Sequence, residues 1–417
     1  MQILKIGLLF AASTLSRLLA GLVIVKIIAV YVGANGLGQL GQFMSLVAII
    51  TTLAGGGIST GIVKYVAEFK DEPKELRGYL GAASLITIIA SLTVGTILFV
   101  CAHRISSGLF GSSAYTSVIR ILSVAQFGLA AINLLMGLLN GHKKVRAFAA
   151  INVGSVLIGT IGMIVGCALF GMTGAMYGLI WMPVCALLLL LPWYRIKMGW
   201  HWEKLKPAFD RTKVRKLMGF GLMLLVTATT MQMSQVVIRH VIETQSGWSQ
   251  VGYWQAVVKV SDAYLQFITV VLANYFLPRL AELSNNAQLR REVSQAYRLA
   301  IPLLLAMTVG IYMLREQIIP IIFSKAFLPM KDFFIGQLIG DFFKVAAYIV
   351  GYVAVARAST KIYIGAEILQ SGLFVGISYI LIGRFGAIGA TFAYGATYII
   401  YFVVAYTVYR LYLVRAD

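Results

Sequence analysis

The run VGYWQAVVKVSDAYLQFITVVLANYFL, residues 251–277, decides how the rest of the chain must be read. It is long enough to cross a hydrocarbon core of roughly 30 Å as a helix, yet Lys259 and Asp262 stand near its middle. Three residues apart, they share one helix face and can pair. A charge at bilayer depth costs about 3 kcal/mol on insertion scales, so it marks a functional face before it marks a packing device.

Working outward, the 417 residues are 59% hydrophobic and 12% charged, with mean hydropathy +0.86. That composition belongs to a polytopic membrane protein and excludes an ordinary soluble domain. The net charge of +20 comes from short Lys/Arg clusters between apolar runs, with no basic patch interleaved with aromatics, so nucleic acid is not an expected partner. Loops facing anionic membrane lipid are. Cys101, Cys167 and Cys185 lie in apolar segments without ligand spacing and read as packing residues, with no disulfide and no metal expected. His103, His142, His201 and His240 form no cluster, and no phosphate-loop motif is present. A glycosyltransferase would need a large extramembrane loop bearing acids, and the longest loop here, 196–213, is mostly basic. The expectation is therefore no enzyme and no cofactor, but transport driven by gradients or by the substrate's own free energy.

Apolar runs place twelve spans near 4–30, 39–66, 78–102, 115–140, 147–170, 174–195, 214–240, 251–278, 294–314, 332–356, 362–383 and 388–409. The first is read as an uncleaved helix, because its apolar character resumes after Arg17. With both termini cytoplasmic, 24 Lys and Arg fall inside and 6 outside, which fixes the orientation. Arg17, Lys26, Arg120, Lys259 and Lys344 remain within spans.

FGMTGAMYG (170–178) and FGAIGATFA (385–393) share F-G-x-x-G-A before the last helix of each six-helix set. QLGQF (39–43) pairs with QVGYW (250–254), and LFGSSAY (109–115) with IFSKAFL (322–328), at nearly the same offset. Three ordered matches indicate a duplication. The halves are 1–197 and 214–417, joined by a basic cytoplasmic linker at 198–213; six spans each makes them parallel repeats around a central cavity.

Polar faces identify what that cavity offers. Gln337, Asp341, Lys344, Tyr348 and Tyr352 line one face of the tenth span, and Lys259, Asp262, Gln266 and Thr269 one face of the eighth. The seventh carries Gln232, Gln235 and Arg239, the fourth Gln126, Asn133 and Asn140, and the eleventh Tyr363, Glu367 and Gln370. For a single Gln or Asn, an interhelical hydrogen bond worth about 1 kcal/mol is the plainer reading. Arg17, Lys26, Lys259 and Lys344, with Arg239 near the outer mouth, outnumber Asp262, Asp341 and Glu367, so a positive cavity attracting an anion is expected. Arg17 and Lys26 face it together only if their helix bends, for which Gly21 offers a place. Otherwise Lys26 reaches the outer interface.

The segments AASTLSRLLAGLVIVKIIAVYVGANGLGQLGQF (11–43), LAGGGISTGIVKYVAEF (53–69), SDAYLQFIT (261–269) and GDFFKVAAYIVGYVAVARASTKIYIGAEILQ (340–370) resemble the Wzx-type polysaccharide-repeat-unit flippases, most of all the branch serving enterobacterial common antigen. The resemblance implies an all-α, MATE-like fold of the multidrug/oligosaccharidyl-lipid/polysaccharide exporter superfamily. It also implies alternating access in a bacterial inner membrane and an undecaprenyl-pyrophosphate-linked oligosaccharide as cargo, either a common-antigen or an O-antigen unit. A polysaccharide polymerase and a chain-length regulator are candidate partners. On that footing Arg17, Lys26, Arg239, Lys259 and Lys344 would contact pyrophosphate or acidic sugar, with Gln126, Asn133, Gln337 and Tyr348 as further substrate contacts. Asp262, Asp341 and Glu367 would serve ion pairing or proton coupling. A drug or metabolite exporter and a lipid II flippase of the same superfamily are the alternatives. The first would favour an acidic lumen for organic cations, and the second carries helices beyond twelve.

Overall fold

The computed structural model describes residues 20–198, 206–272, 276, 279–280, 283, 285–356 and 360–416. Its regular elements are all helical: α1 (Ala20–Tyr31), α2 (Gly33–Ala54), α3 (Ser59–Glu68), α4 (Pro73–Val100), α5 (Ala102–Phe110), α6 (Thr116–Gly141), α7 (Val145–Met198), α8 (Arg211–Ser246), α9 (Trp248–Val271), α10 (Asn286–Ile322), α11 (Phe334–Ala356), α12 (Thr360–Phe385) and α13 (Gly389–Ala416). Among the described residues, eight helical stretches are long and apolar enough to cross a membrane. One of these, Ile364–Leu411, runs through both α12 and α13. The helix that holds Lys259 and Asp262, α9, is not among the eight; three Gln and two charges lower its hydropathy.

A straight 54-residue α7 would be about 80 Å long, far more than a bilayer is thick. It is instead two legs that reverse at Gly171, whose φ is 59°. The legs lie so close that a Cβ on Gly174 would collide with the Gly166 carbonyl. At the matching position of the second motif Gly386 has φ 64°, and a Cβ on Gly389 would collide with the Leu381 carbonyl. The motif F-G-x-x-G-A is thus one reversal, built twice from a left-handed glycine followed by a glycine of close approach. The third sequence match behaves alike: Phe110 and Phe323 are both buried and both lead into a 3-10 turn, Ser113–Tyr115 in one case and Lys325–Phe333 in the other.

The span read as continuous over 39–66 is broken. Gly55, Gly56 and Gly57 separate α2 from α3, and the last two have φ of 65°. Gly57 N–H donates to the Thr52 carbonyl at 3.0 Å and Gly56 N–H to the Leu53 carbonyl at 2.9 Å. This is the Schellman arrangement, which ends a helix when the next residue can turn left-handed. Apolar periodicity continues across the break, so hydropathy alone did not reveal it.

The helices sort into two compact units, one of Met1–Val32 with Gln42–Gln232, the other of Gly33–Gly41 with Met233–Asp417. In the first, Ile58, Ile62, Leu80, Leu135, Leu138 and Leu217 belong to one buried core. The end of the basic linker is fastened to it: Ala208 N–H donates to the Gly81 carbonyl, and Asp210 caps α8 by accepting from Thr212 and Lys213 N–H. In the second, the start of α2 crosses α9 at glycines, because a Cβ on Gly38 would stand 2.9 Å from both Gly252 N and the Trp248 carbonyl.

Candidate functional site

The second unit gathers most of the polar stripe. Spacing of four and three residues puts Gln337, Asp341, Lys344 and Tyr348 on one face of α11. That face meets α13 at short range because Gly336 and Gly340 form a G-x-x-x-G pair: a Cβ on Gly340 would overlap the Tyr394 ring, and one on Gly336 the Thr391 backbone. Small residues at such spacing let membrane helices approach closely. Asp341 is thereby sealed, 0% exposed. Its carboxylate accepts from the Tyr264 hydroxyl at 2.6 Å, the Tyr394 hydroxyl at 2.9 Å and Gln337 Nε2 at 3.4 Å.

One turn along, the Lys344 ammonium sits 5.5, 5.8 and 6.0 Å from the ring centres of Tyr398, Tyr394 and Tyr348. Three aromatic faces around a cation give it a favourable but non-neutralising environment. Gln370 donates to the Tyr398 hydroxyl at 2.7 Å and so holds that ring in place. Asp341, Asp262 and Glu367 are all electrostatic neighbours of Lys344.

On α8, Arg239 is buried at 4% exposure. Its Nε and Nη2 donate to Gln255 Oε1 at 3.0 and 2.9 Å, and Nη2 also to Gln235 Oε1 at 3.2 Å. The Trp254 ring centre lies 5.6 Å away. Gly41 makes room for the Gln255 amide, since a Cβ there would stand 2.7 Å from Oε1. Lys259 Nζ and Asp262 Oδ2 are 4.0 Å apart with side chains 29% and 59% exposed, an open and loose pair.

Within this unit the cations Arg239, Lys259 and Lys344 are matched in number by Asp262, Asp341 and Glu367. The positive excess expected from the sequence therefore rests on Arg17 and Lys26, both in the other unit. Arg17 lies outside the described residues. Lys26 is half-buried on α1.

Also in the first unit, Gln126 is fully buried and donates to the Ser91 carbonyl at 2.7 Å and the Ser123 carbonyl at 3.4 Å, which ties α6 to α4. Gly95 provides the space for that amide. Asn133 instead lines a cavity of about 130 Å³ beside the α2–α3 break.

Sequence reasoning identified Asp341, Lys344 and Arg239 but missed the groups that hold them: Tyr264, Tyr394, Tyr398, Trp254 and Gln255. The available signals were the G-x-x-x-G at 336–340 and the Tyr-x-x-x-Tyr at 394–398.

A family model described as "Polysaccharide biosynthesis protein" matches residues 27–332. The chain is 36% identical over 420 residues, 100% of both chains, to a protein of Escherichia coli (strain K12) named "Lipid III flippase". Among solved structures, the inward-facing conformation of a multidrug resistance MATE family transporter of the MOP superfamily has TM-score 0.78 and 16% identity. That match covers 97% of this chain and 95% of the transporter. The lipid II flippase MurJ in its inward closed conformation has TM-score 0.74 and 16% identity, covering 96% and 86%. At these identities the two structures show a shared fold.

Proposed function

The chain belongs to the polysaccharide biosynthesis protein family, and from that premise we propose that it is a flippase and no enzyme. It carries a polyprenyl-pyrophosphate-linked oligosaccharide, the lipid III of enterobacterial common antigen or a related repeat unit, from the cytoplasmic to the periplasmic leaflet by alternating access. The observation that carries this reading is the full-length identity to a lipid III flippase. The cation in the second unit supports it, since Lys344 sits among three tyrosine rings that favour a cation without neutralising it. Arg239 and Lys259 add to the anion-attracting group of this unit, and Arg17 and Lys26 of the first helix are further proposed substrate contacts. Asp262, Asp341 and Glu367 balance these charges when substrate is away.

The inner membrane is the proposed location, with both termini cytoplasmic and the repeats at 1–197 and 214–417. A polysaccharide polymerase and a chain-length regulator would receive the flipped unit. Outward movement of about two negative charges is favoured by roughly 4–5 kcal/mol per 100 mV when the cytoplasm is negative, so membrane potential supplies direction.

Reconstitution tests this reading. Proteoliposomes holding the chain should make a fluorescent polyprenyl-pyrophosphate oligosaccharide accessible to an impermeant quencher at a rate that rises with an imposed potential. A rate equal to that of protein-free vesicles would overturn it.

A further inference from the structure

The break between α2 and α3 does more than bend a span. It leaves α3 with Ile58 at its N-cap and no side-chain cap, so the N–H groups of its first turn lack the partner a Ser or Asp would supply. Ile58 and Ser59 line the cavity of about 130 Å³, together with Thr51, Thr87 and Asn133. That is roughly ten times the space one ordered water needs. Thr87 is only 8% exposed. Among the described residues neither its hydroxyl nor the Asn133 amide has a hydrogen-bond partner. Thr87 is the fifteenth of the 28 residues of α4, which places the cavity near mid-span. The Thr87 hydroxyl and the Asn133 amide open onto this cavity and are available to a molecule that enters it.

The lining also selects what that ligand is. Among the described residues it holds no Lys, Arg, Asp or Glu, so neither a doubly charged phosphate nor a metal cation would be compensated there. Hydroxyls, an amide and free backbone N–H groups instead match a neutral group that donates and accepts at several points. We propose that this cavity binds a sugar ring of the lipid-linked substrate through its hydroxyl or acetamido groups. It is thus a glycan subsite in the first unit, separate from the cationic group of the second. The proposal rests on the flippase reading and names the part of the substrate that this cavity takes.

Titration calorimetry on the full chain in lipid nanodiscs tests it with farnesyl pyrophosphate and with farnesyl pyrophosphate bearing one glucose, galactose, N-acetylglucosamine or N-acetylgalactosamine. At least one glycosyl probe should bind ten-fold or more tighter than the sugar-free probe. Thr87→Val and Asn133→Ala should cut that advantage below three-fold while leaving farnesyl pyrophosphate affinity within two-fold of the unsubstituted chain. Thr51→Val removes a second hydroxyl by a nearly isosteric change, so the test does not depend on one variant folding. Lys344→Gln should weaken all probes together. A glycosyl advantage that survives every cavity substitution, no advantage at all, or an equal loss for the sugar-free probe would each overturn the subsite. Failure of the unsubstituted chain to bind any probe would overturn the flippase reading and the subsite with it.

Discussion

At the scale of residues, the decisive feature is how differently two acids of the same unit are kept. Asp341 is sealed under two tyrosine hydroxyls and an amide, whereas Asp262 is 59% exposed and 4.0 Å from Lys259. A hydrogen bond to a charged group contributes about 1.5–3 kcal/mol, and an open ion pair about 1 kcal/mol at most. Tyr264→Phe should therefore lower the thermal midpoint of the purified protein by several degrees, while Lys259→Gln leaves it almost unchanged; equal midpoints for both would contradict the assigned roles. In transport the order reverses. Lys259→Gln and Lys344→Ala should abolish flipping without loss of membrane insertion, and Lys259→Arg should retain more activity than Lys259→Gln, because a charge is what the pyrophosphate needs. If Lys259 and Asp262 existed only to neutralise each other, replacing both by Gln and Asn would restore flipping. Their loose, open geometry predicts that the double variant stays inactive, and near-normal flipping in it would show them to be a structural pair. The charged members of this group were legible in the sequence because charge in an apolar run has few explanations. Tyr264, Tyr394 and Tyr398 were not, because a chain with 21 tyrosines gives no local sign of which ones face a carboxylate.

At the scale of elements, glycine position explains more than glycine content. A Cβ on Gly174 or Gly389 would run into a backbone carbonyl of the opposing leg, whereas one on Gly154 or Gly376 would meet nothing within 4 Å. Gly174→Ala and Gly389→Ala should each sharply reduce the yield of monodisperse protein in size-exclusion chromatography. Gly154→Ala and Gly376→Ala should not, and in these helices should be neutral or slightly stabilising. Matched behaviour at 174 and 389 would be the functional signature of the duplication, and tolerance at one with collapse at the other would argue against equivalent turns. The two reversals could be seen in the sequence because both need the same two glycines at the same spacing. The α2–α3 break was not seen, although LAGGGIST was in plain view, because three glycines in an apolar run read equally well as close packing. Only the left-handed φ at Gly56 and Gly57 distinguishes a helix end from a helix crossing.

At the scale of the whole molecule, the distribution of charge predicts the direction of the helices. Lys and Arg are retained on the cytoplasmic side during insertion, so the ratio of 24 to 6 predicts orientation more firmly than any single loop does. Arg239 even overstates the outer count, since it is buried within α8 and hydrogen-bonded to Gln255. The turns predicted to carry the cytoplasmic charge are ordered: Lys144 N–H donates to the Leu139 carbonyl beyond α6, and the Lys206–Asp210 stretch is held against Gly81. Single cysteines therefore provide a direct test on a background lacking Cys101, Cys167 and Cys185. Lys144→Cys is preferred to Lys143→Cys, because Lys143 has a φ of 56° and a substitution there would sample a strained backbone. In intact cells an impermeant maleimide should label Ser113→Cys and Gln245→Cys, both exposed, and should leave Lys144→Cys and Lys206→Cys unlabelled until the membrane is opened. Outside labelling at 206 would invert the second half relative to the first. Two parallel repeats would then become antiparallel ones, and the carrier could no longer present both copies of the F-G-x-x-G-A reversal to the same leaflet.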